Sequence, residues 1–183
     1  YGAGEERRHV LDEVSVAIHE GEFVAVMGPS GSGKTTLMFA LSGTDHIDSG
    51  KIMVDGKDLS TVTENELSDI RRTTMGFVFQ QPTMLNNLNI LDNIMLPSLR
   101  GNRSKAAEIR KKAKMLMQRV GIAELETKDV SQASGGQLQR AGICRALMND
   151  PKIVFGDEPT GALNSMSAQE VMRLFADINA EGT

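Results

Sequence analysis

The chain has 183 residues, of which 40% are hydrophobic and 24% are charged, and its formal net charge is −4. This composition is that of a globular protein rather than a disordered or fibrous one, and the acidic balance argues against nucleic acid as a partner. The single cysteine, Cys144, excludes an internal disulfide and any multi-cysteine metal site, and no apolar run reaches the 18 residues of a transmembrane helix.

The first elements predicted are two strands that form a hairpin. Apolar and polar residues alternate over 14–18, which predicts a strand with one buried face. Residues 20–22 form a turn, and the unbroken apolar run 23–27 predicts a buried parallel strand. The second strand leads directly into a glycine-rich loop.

Residues 28–36, with the sequence GPSGSGKTT, fit the phosphate-binding loop pattern at every position. The glycines allow successive backbone N–H groups to face one anion, and a helix predicted over 35–41 adds the positive end of its dipole. Lys34 is expected to reach the terminal phosphates, and Thr35 offers a hydroxyl to Mg²⁺. A glycine-serine turn between a strand and a helix is the alternative, but it gives no reason for a lysine and a hydroxyl after the glycines. The candidate nucleotide-binding residues here are Gly28, Ser30, Gly31, Ser32, Gly33, Lys34, Thr35 and Thr36.

The middle of the chain changes from strand to helix patterns. A short strand over 51–54 lies between turns and is predicted to belong to an antiparallel sheet. Thr63 and Glu66 predict a capping box at the start of a helix, and 75–79 predicts a buried strand that ends before Pro82. Helical spacing dominates from 83 to 148, with an apolar stripe formed by Ile109, Ala113, Leu116, Met117 and Val120.

A second apolar strand, 153–156, ends in two carboxylates. Asp157 is placed to hold Mg²⁺ through water, and Glu158 to orient and deprotonate an attacking water. The alternative is an acidic helix start with a purely structural role. Ser167 and Glu170 predict the cap of a last amphipathic helix.

Residues 133–137, with the sequence ASGGQ, precede another helical stretch. Small residues and a hydroxyl at a helix start predict a second anion-binding end. A chain with two such ends in separate subdomains can sandwich a nucleotide between two copies of itself.

The order and spacing of these motifs resemble the nucleotide-binding subunit of ABC transporters over essentially the whole chain. The resemblance implies that 28–36 is the Walker A loop, that Gln80 contacts Mg²⁺ and the attacking water, and that Glu158 is the catalytic glutamate. It also implies that Tyr1 stacks on adenine and that Mg²⁺ is held by Thr35, Gln80 and Asp157. The signature residues expected at the nucleotide are Ser134, Gly135, Gly136 and Gln137.

The fold implied is an α/β P-loop NTPase (RecA-like) core with a parallel sheet, a small antiparallel β subdomain and an inserted helical subdomain. We expect the core and its antiparallel part to comprise 1–82 and 149–183, and the helical signature subdomain to comprise 83–148. By the same resemblance we expect the chain to be truncated at both ends. No histidine stands where the family has its switch histidine, so slow ATP hydrolysis is expected.

The function implied is ATP hydrolysis that drives a transporter through closure of a homodimer or of paired ABC subunits. The expected ligands are ATP and Mg²⁺, the expected partner is a transmembrane permease, and the expected location is the cytoplasmic face of the cell membrane. Stretches 76–81 and 157–163 resemble the lipoprotein-releasing and macrolide-exporter branch. A soluble ABC ATPase of DNA repair or translation and an ATP-binding regulatory scaffold are the alternatives. Two departures from the family pattern are Ala133, usually leucine, and Asn164, usually aspartate.

Overall fold

The computed structural model describes residues 10–183, and these fall into two compact units, one ending at Arg71 and one formed by Arg72–Thr183. The first unit contains helix α1 (Lys34–Leu41), strands β1 (Met53–Val54) and β2 (Lys57–Asp58), and most of helix α2 (Glu64–Thr74). β1 and β2 pair antiparallel, as predicted for this segment. The predicted division into core and helical subdomain stays a prediction.

The capping box predicted for α2 is confirmed. The Thr63 N–H donates to Glu66 Oε2 at 2.7 Å, and the Glu66 N–H donates to Thr63 Oγ1 at 3.3 Å. These two bonds satisfy backbone donors that a helix start otherwise leaves open. Leu67 and Ile70 are buried on one face of the helix.

The two strands predicted before the phosphate loop are absent. Residues 12–27 form no strand in the described part of the chain, although the predicted turn is present, with the Glu22 N–H donating to the His19 carbonyl at 3.1 Å. Val16 and Val26 are 55% and 54% exposed, so the apolar run is not a buried strand either. The physical reason is that a strand is stabilised by its ladder with a neighbour, and no ladder forms over these residues.

The second unit contains one parallel strand pair and four complete α-helices. β3 (Met75–Phe79) pairs in parallel with β4 (Ile153–Asp157), so that Phe79 is opposite Asp157. Both strands were predicted, but β4 is half-buried rather than buried. The helices are α3 (Ile90–Leu99), α4 (Ala106–Arg119), α5 (Gly135–Leu147) and α6 (Ser165–Ala180).

Two apolar cores hold this unit together. One lies between α3, α4 and α5, and most of the apolar stripe predicted on α4 is buried in it. The other packs the helices α5 and α6 against β3 through Val78, Ile143, Leu147, Val171, Phe175 and Ile178. Because α5 contributes residues to both cores, its position relative to the sheet is fixed. The first residue of α5 is therefore also held at a defined place.

The predicted cap of α6 is wrong. The N-cap is Asn164, whose side chain accepts the Ser167 N–H at 2.9 Å. Glu170 instead forms an ion pair with Arg140, at 2.5 Å. The reason is that the turn from Thr160 to Leu163 brings Asn164 to the helix start in an extended conformation, where an asparagine oxygen caps well.

Candidate functional site

The phosphate loop depends on its glycines. Gly31 and Gly33 have φ values of +76° and +90°, a region that favours glycine. A Cβ at Gly28 would lie 2.7 Å from Ser32 Oγ, so a side chain there would displace the serine. Gly33 is also the N-cap of α1, so the loop passes directly into the helix.

The side chain of Lys34 is held by backbone carbonyls of the loop that precedes it. Its Nζ donates to the carbonyls of Gly28 and Pro29, at 2.9 Å each. An ammonium group carries three donors, and these contacts use two of them without neutralising the charge. The side chain is therefore positioned where an anion cradled by the loop would meet it. Thr35 and Thr36 follow in the first turn of α1.

In the second unit, the carboxyl ends of β3 and β4 bring three of the predicted residues together. Because Phe79 is opposite Asp157, Gln80 and Glu158 leave the sheet side by side. A Cβ placed on Gly161 would lie 2.7 Å from Gln80 Nε2. The Gln80 amide therefore packs against the turn that follows Glu158, which is closed by a 2.9 Å bond from the Gly161 N–H to the Glu158 carbonyl.

Gly161 was not predicted as part of the site. It makes room for the Gln80 amide, a role that only a residue without a side chain can have at this distance. The signal available in the sequence was a glycine four residues after Asp157.

Glu158 has an unusual backbone. Its φ is +45°, in the left-handed region that non-glycine residues seldom adopt. Such a conformation costs on the order of 1–3 kcal/mol and is typical of functional positions. The residue is exposed, and its role as a base stays a prediction.

The helix α5 begins at a capping box formed by Ser134. The Gln137 N–H donates to Ser134 Oγ at 3.3 Å, and the Ser134 N–H donates to Gln137 Oε1 at 2.9 Å. The serine hydroxyl accepts in this box, so its own hydrogen can still be donated to a phosphate oxygen. The positive end of the helix dipole lies at the same point.

The other signature residues have identifiable local roles. A Cβ on Gly136 would lie 3.2 Å from Ser167 Oγ, so Gly136 permits close approach of α6. Gln137 Nε2 also donates to Glu124 Oε1 at 3.4 Å, and Ala133 packs against the core between α3, α4 and α5. Gly135 has open space around its Cα. Contact of these residues with a nucleotide stays a prediction, and Tyr1 lies outside the described residues.

The comparison with known families identifies the chain. The family model described as "ABC transporter" matches residues 11–161. The chain belongs to the ABC transporter family. The resemblance drawn from its motifs is therefore confirmed, and the protein is an ATP-binding, ATP-hydrolysing cassette of this family.

Individual relatives support the same placement. The lipoprotein-releasing system ATP-binding protein LolD 1 of Chlorobium chlorochromatii is 41% identical over 96% of this chain and 71% of that protein. The macrolide export ATP-binding/permease protein MacB of Aggregatibacter actinomycetemcomitans is 40% identical over 100% of this chain, which spans only 28% of that protein. The solved dimeric, post-hydrolysis structure of the ATP-binding cassette MJ0796 with ADP and Pi has a TM-score of 0.89 and 38% identity, covering 99% of this chain and 79% of that one. The expected P-loop NTPase fold is thus confirmed.

Residues 10–183 contain neither a membrane-spanning helix nor a cluster of metal-binding side chains. No helix described there is both long and apolar enough for a membrane span. No group of three or more His, Cys, Asp and Glu side chains is arranged to hold a metal ion in the same residues.

Proposed function

We propose that this ABC ATPase powers an export or lipoprotein-releasing system, with Gln80, Asp157 and Glu158 as the hydrolytic centre. The observation that carries the proposal is the parallel pairing of Phe79 with Asp157, which places these three side chains at one edge of the sheet. The relatives named as lipoprotein-releasing and macrolide-export proteins support the branch.

The chain's own residues supply the binding and the proton transfer. The glycine loop and Lys34 bind the phosphates of ATP through N–H groups and one ammonium. Glu158 accepts a proton from the attacking water, and Gln80, seated on Gly161, orients that water through its amide. Ser134 donates its hydroxyl to the phosphates held by a second copy of the chain.

The chemistry of the expected ligands suits Mg²⁺. The hydroxyl of Thr35, the amide oxygen of Gln80 and the carboxylate of Asp157 are all hard oxygen ligands. Because Mg²⁺ keeps several waters and takes further ligands from phosphate, a set of so few protein donors suits it. When bound with ATP, the ion would neutralise charge on the phosphates.

The remaining parts of the proposal concern partners and place. Two copies, or two paired ABC subunits, close around ATP, and a permease with membrane spans docks on the surface formed by residues 80–99. The chain then works at the cytoplasmic face of the cell membrane. The loop over 85–89, which contains the half-exposed Leu85, is exposed enough to contact such a partner.

Light scattering after size-exclusion chromatography in Mg-ATP tests the proposal. Glu158→Gln keeps the shape of the side chain but removes the base, so ATP should bind and a stable dimer should accumulate. Adding Ser134→Arg should block closure while leaving the phosphate loop intact, so that the double variant binds ATP as a monomer.

Lys34→Ala tests the phosphate loop separately from the dimer. It removes charge-assisted hydrogen bonds to phosphate and should weaken ATP binding roughly 10- to 100-fold by calorimetry. A monomeric Glu158→Gln protein, or a double variant that dimerises, would contradict the sandwich. Near-normal ATP affinity in Lys34→Ala would contradict the phosphate-loop assignment.

A further inference from the structure

The segment that carries Gln80 lies along one face of helix α5. After β3 ends at Phe79, the chain runs through Pro82 and Thr83 past three α5 residues that are three positions apart. These residues are Gln139, Gly142 and Arg145. Residues spaced by three lie on adjacent turns of a helix, so the three contacts extend over about 9 Å of the helix.

Gln139 makes the first contact. Its side chain is 1% exposed, and its Nε2 donates to the Phe79 carbonyl at 2.9 Å. A buried amide is costly to leave without a partner, so this bond holds the last residue of β3 against α5. Gln80 follows directly.

Gly142 and Arg145 make the other two contacts. A Cβ on Gly142 would lie 3.1 Å from Pro82 Cβ, closer than most side chains pack, so the absence of a side chain brings the segment onto the helix. The Arg145 guanidinium donates to the Thr83 carbonyl at 2.5 Å and approaches Met84 Sδ at 3.6 Å. Burial lowers the pKa of Arg145, which reflects how far this cation is removed from water.

We infer that Gln139, Gly142 and Arg145 are positioning residues that fix residues 79–83 on α5 and thereby set the orientation of Gln80. The inference rests on the proposed roles of Gln80 and Ser134. Gln80 lies between the anchors at Phe79 and Pro82, while Ser134 caps the same helix five residues before Gln139. Ser134 and the backbone of Gln80 are therefore attached to one rigid element. A movement of α5 that brings Ser134 to a second subunit moves Gln80 with it.

The first test measures ATP turnover and ATP affinity separately. Gln139→Leu removes the donor at nearly constant volume, and kcat should fall about tenfold because Gln80 is no longer held in place. The dissociation constant for ATP should stay within about twofold, since residues 28–36 are untouched. Asn149→Leu is the matched control. It also removes a side-chain amide of this unit that donates to a backbone carbonyl, from Asn149 Nδ2 to the Arg72 carbonyl at 2.9 Å, but it does not touch residues 79–83, so its kcat should remain that of the wild type.

The second test asks whether Gln139 acts through Gln80. In a Gln80→Ala background, Gln139→Leu should lower kcat no further, because residues that act in series are not additive. A full tenfold additional loss in that background would overturn the inference, as would a folded Gln139→Leu protein with normal kcat. If Gln139→Leu does not fold, Gly142→Ala gives the same test, since alanine favours the helix and acts only by displacing Pro82. A normal kcat for Gly142→Ala would then overturn the inference.

Failure of the proposed function has a different signature. In that case the Glu158→Gln protein would retain the turnover of the wild type, or Lys34→Ala would still bind ATP. Glu158-dependent hydrolysis that is indifferent to Gln139 and Gly142 would refute only the positioning role.

Discussion

Replacing Asn93 by leucine should destabilise the second unit by about 3 kcal/mol. Asn93 is fully buried on α3, and its side chain bonds to the backbone of residues 85–89. Oδ1 accepts the Leu85 N–H at 2.7 Å, and Nδ2 donates to the carbonyls of Leu85, Leu88 and Asn89 at 3.0, 3.2 and 2.9 Å. Two N–H groups serve three carbonyls, so the four contacts count as roughly three bonds. Each contributes about 1 kcal/mol net.

Urea denaturation measures this loss. With an m-value of about 2 kcal/mol/M, the midpoint should fall by about 1.5 M with m unchanged. Asn87→Leu is the control, because Asn87 is exposed in the same loop, and its midpoint should move by less than about 0.3 M. A midpoint shift for Asn93→Leu as small as that of the control would refute the reasoning, because it would mean that the loop satisfies its backbone groups without Asn93.

Two further predictions concern α6 and the buried thiol. Asn164→Ala should cost about 1 kcal/mol of unfolding free energy and Asn164→Asp only a few tenths, because aspartate caps as well as asparagine; equal losses by urea denaturation would contradict the cap. Burial raises the pKa of the Cys144 thiol to about 12. Since the unfolded thiol ionises near pH 9 and the folded one does not, stability should be unaffected below that pH and fall by about 1.4 kcal/mol per unit between about pH 9 and 12. Subtracting the pH profile of Cys144→Ala isolates this slope, and superimposable profiles would contradict it.

Local sequence patterns predicted correctly the elements whose stabilising contacts lie within the element or with another predicted element. The capping box at Thr63 needs only residues 63–66, and the β3 and β4 segments pair directly with each other. The segment over 14–27 shows the limit of such patterns. The alternation and the apolar run indicate which of its residues could be buried. Burial also requires another element that covers these residues, and no element within residues 10–183 does so.

The candidate site was predictable in its residue types but not in its supports. Glycine spacing identified the phosphate loop, and the paired carboxylates identified the end of β4. The packing of the Gln80 amide against Gly161 depends on a tertiary contact. The left-handed backbone of Glu158 depends on a turn whose shape the sequence does not specify. The predicted cap residue of α6 was wrong for a simpler reason. Asparagine and serine both cap helices, and both occur near the start of α6.

The two departures from the family pattern fall on residues whose local roles are retained. Asn164 still caps α6, because capping requires an acceptor oxygen and not a negative charge. Ala133, directly before Ser134, still packs against the core between α3, α4 and α5, and the capping box that orients the serine is intact. What is lost at Asn164 is a charge, and what is lost at Ala133 is side-chain volume. Since the cap and the core contact are both retained, we expect any effect of the two substitutions on activity to come from the lost charge and the lost volume, not from a broken cap.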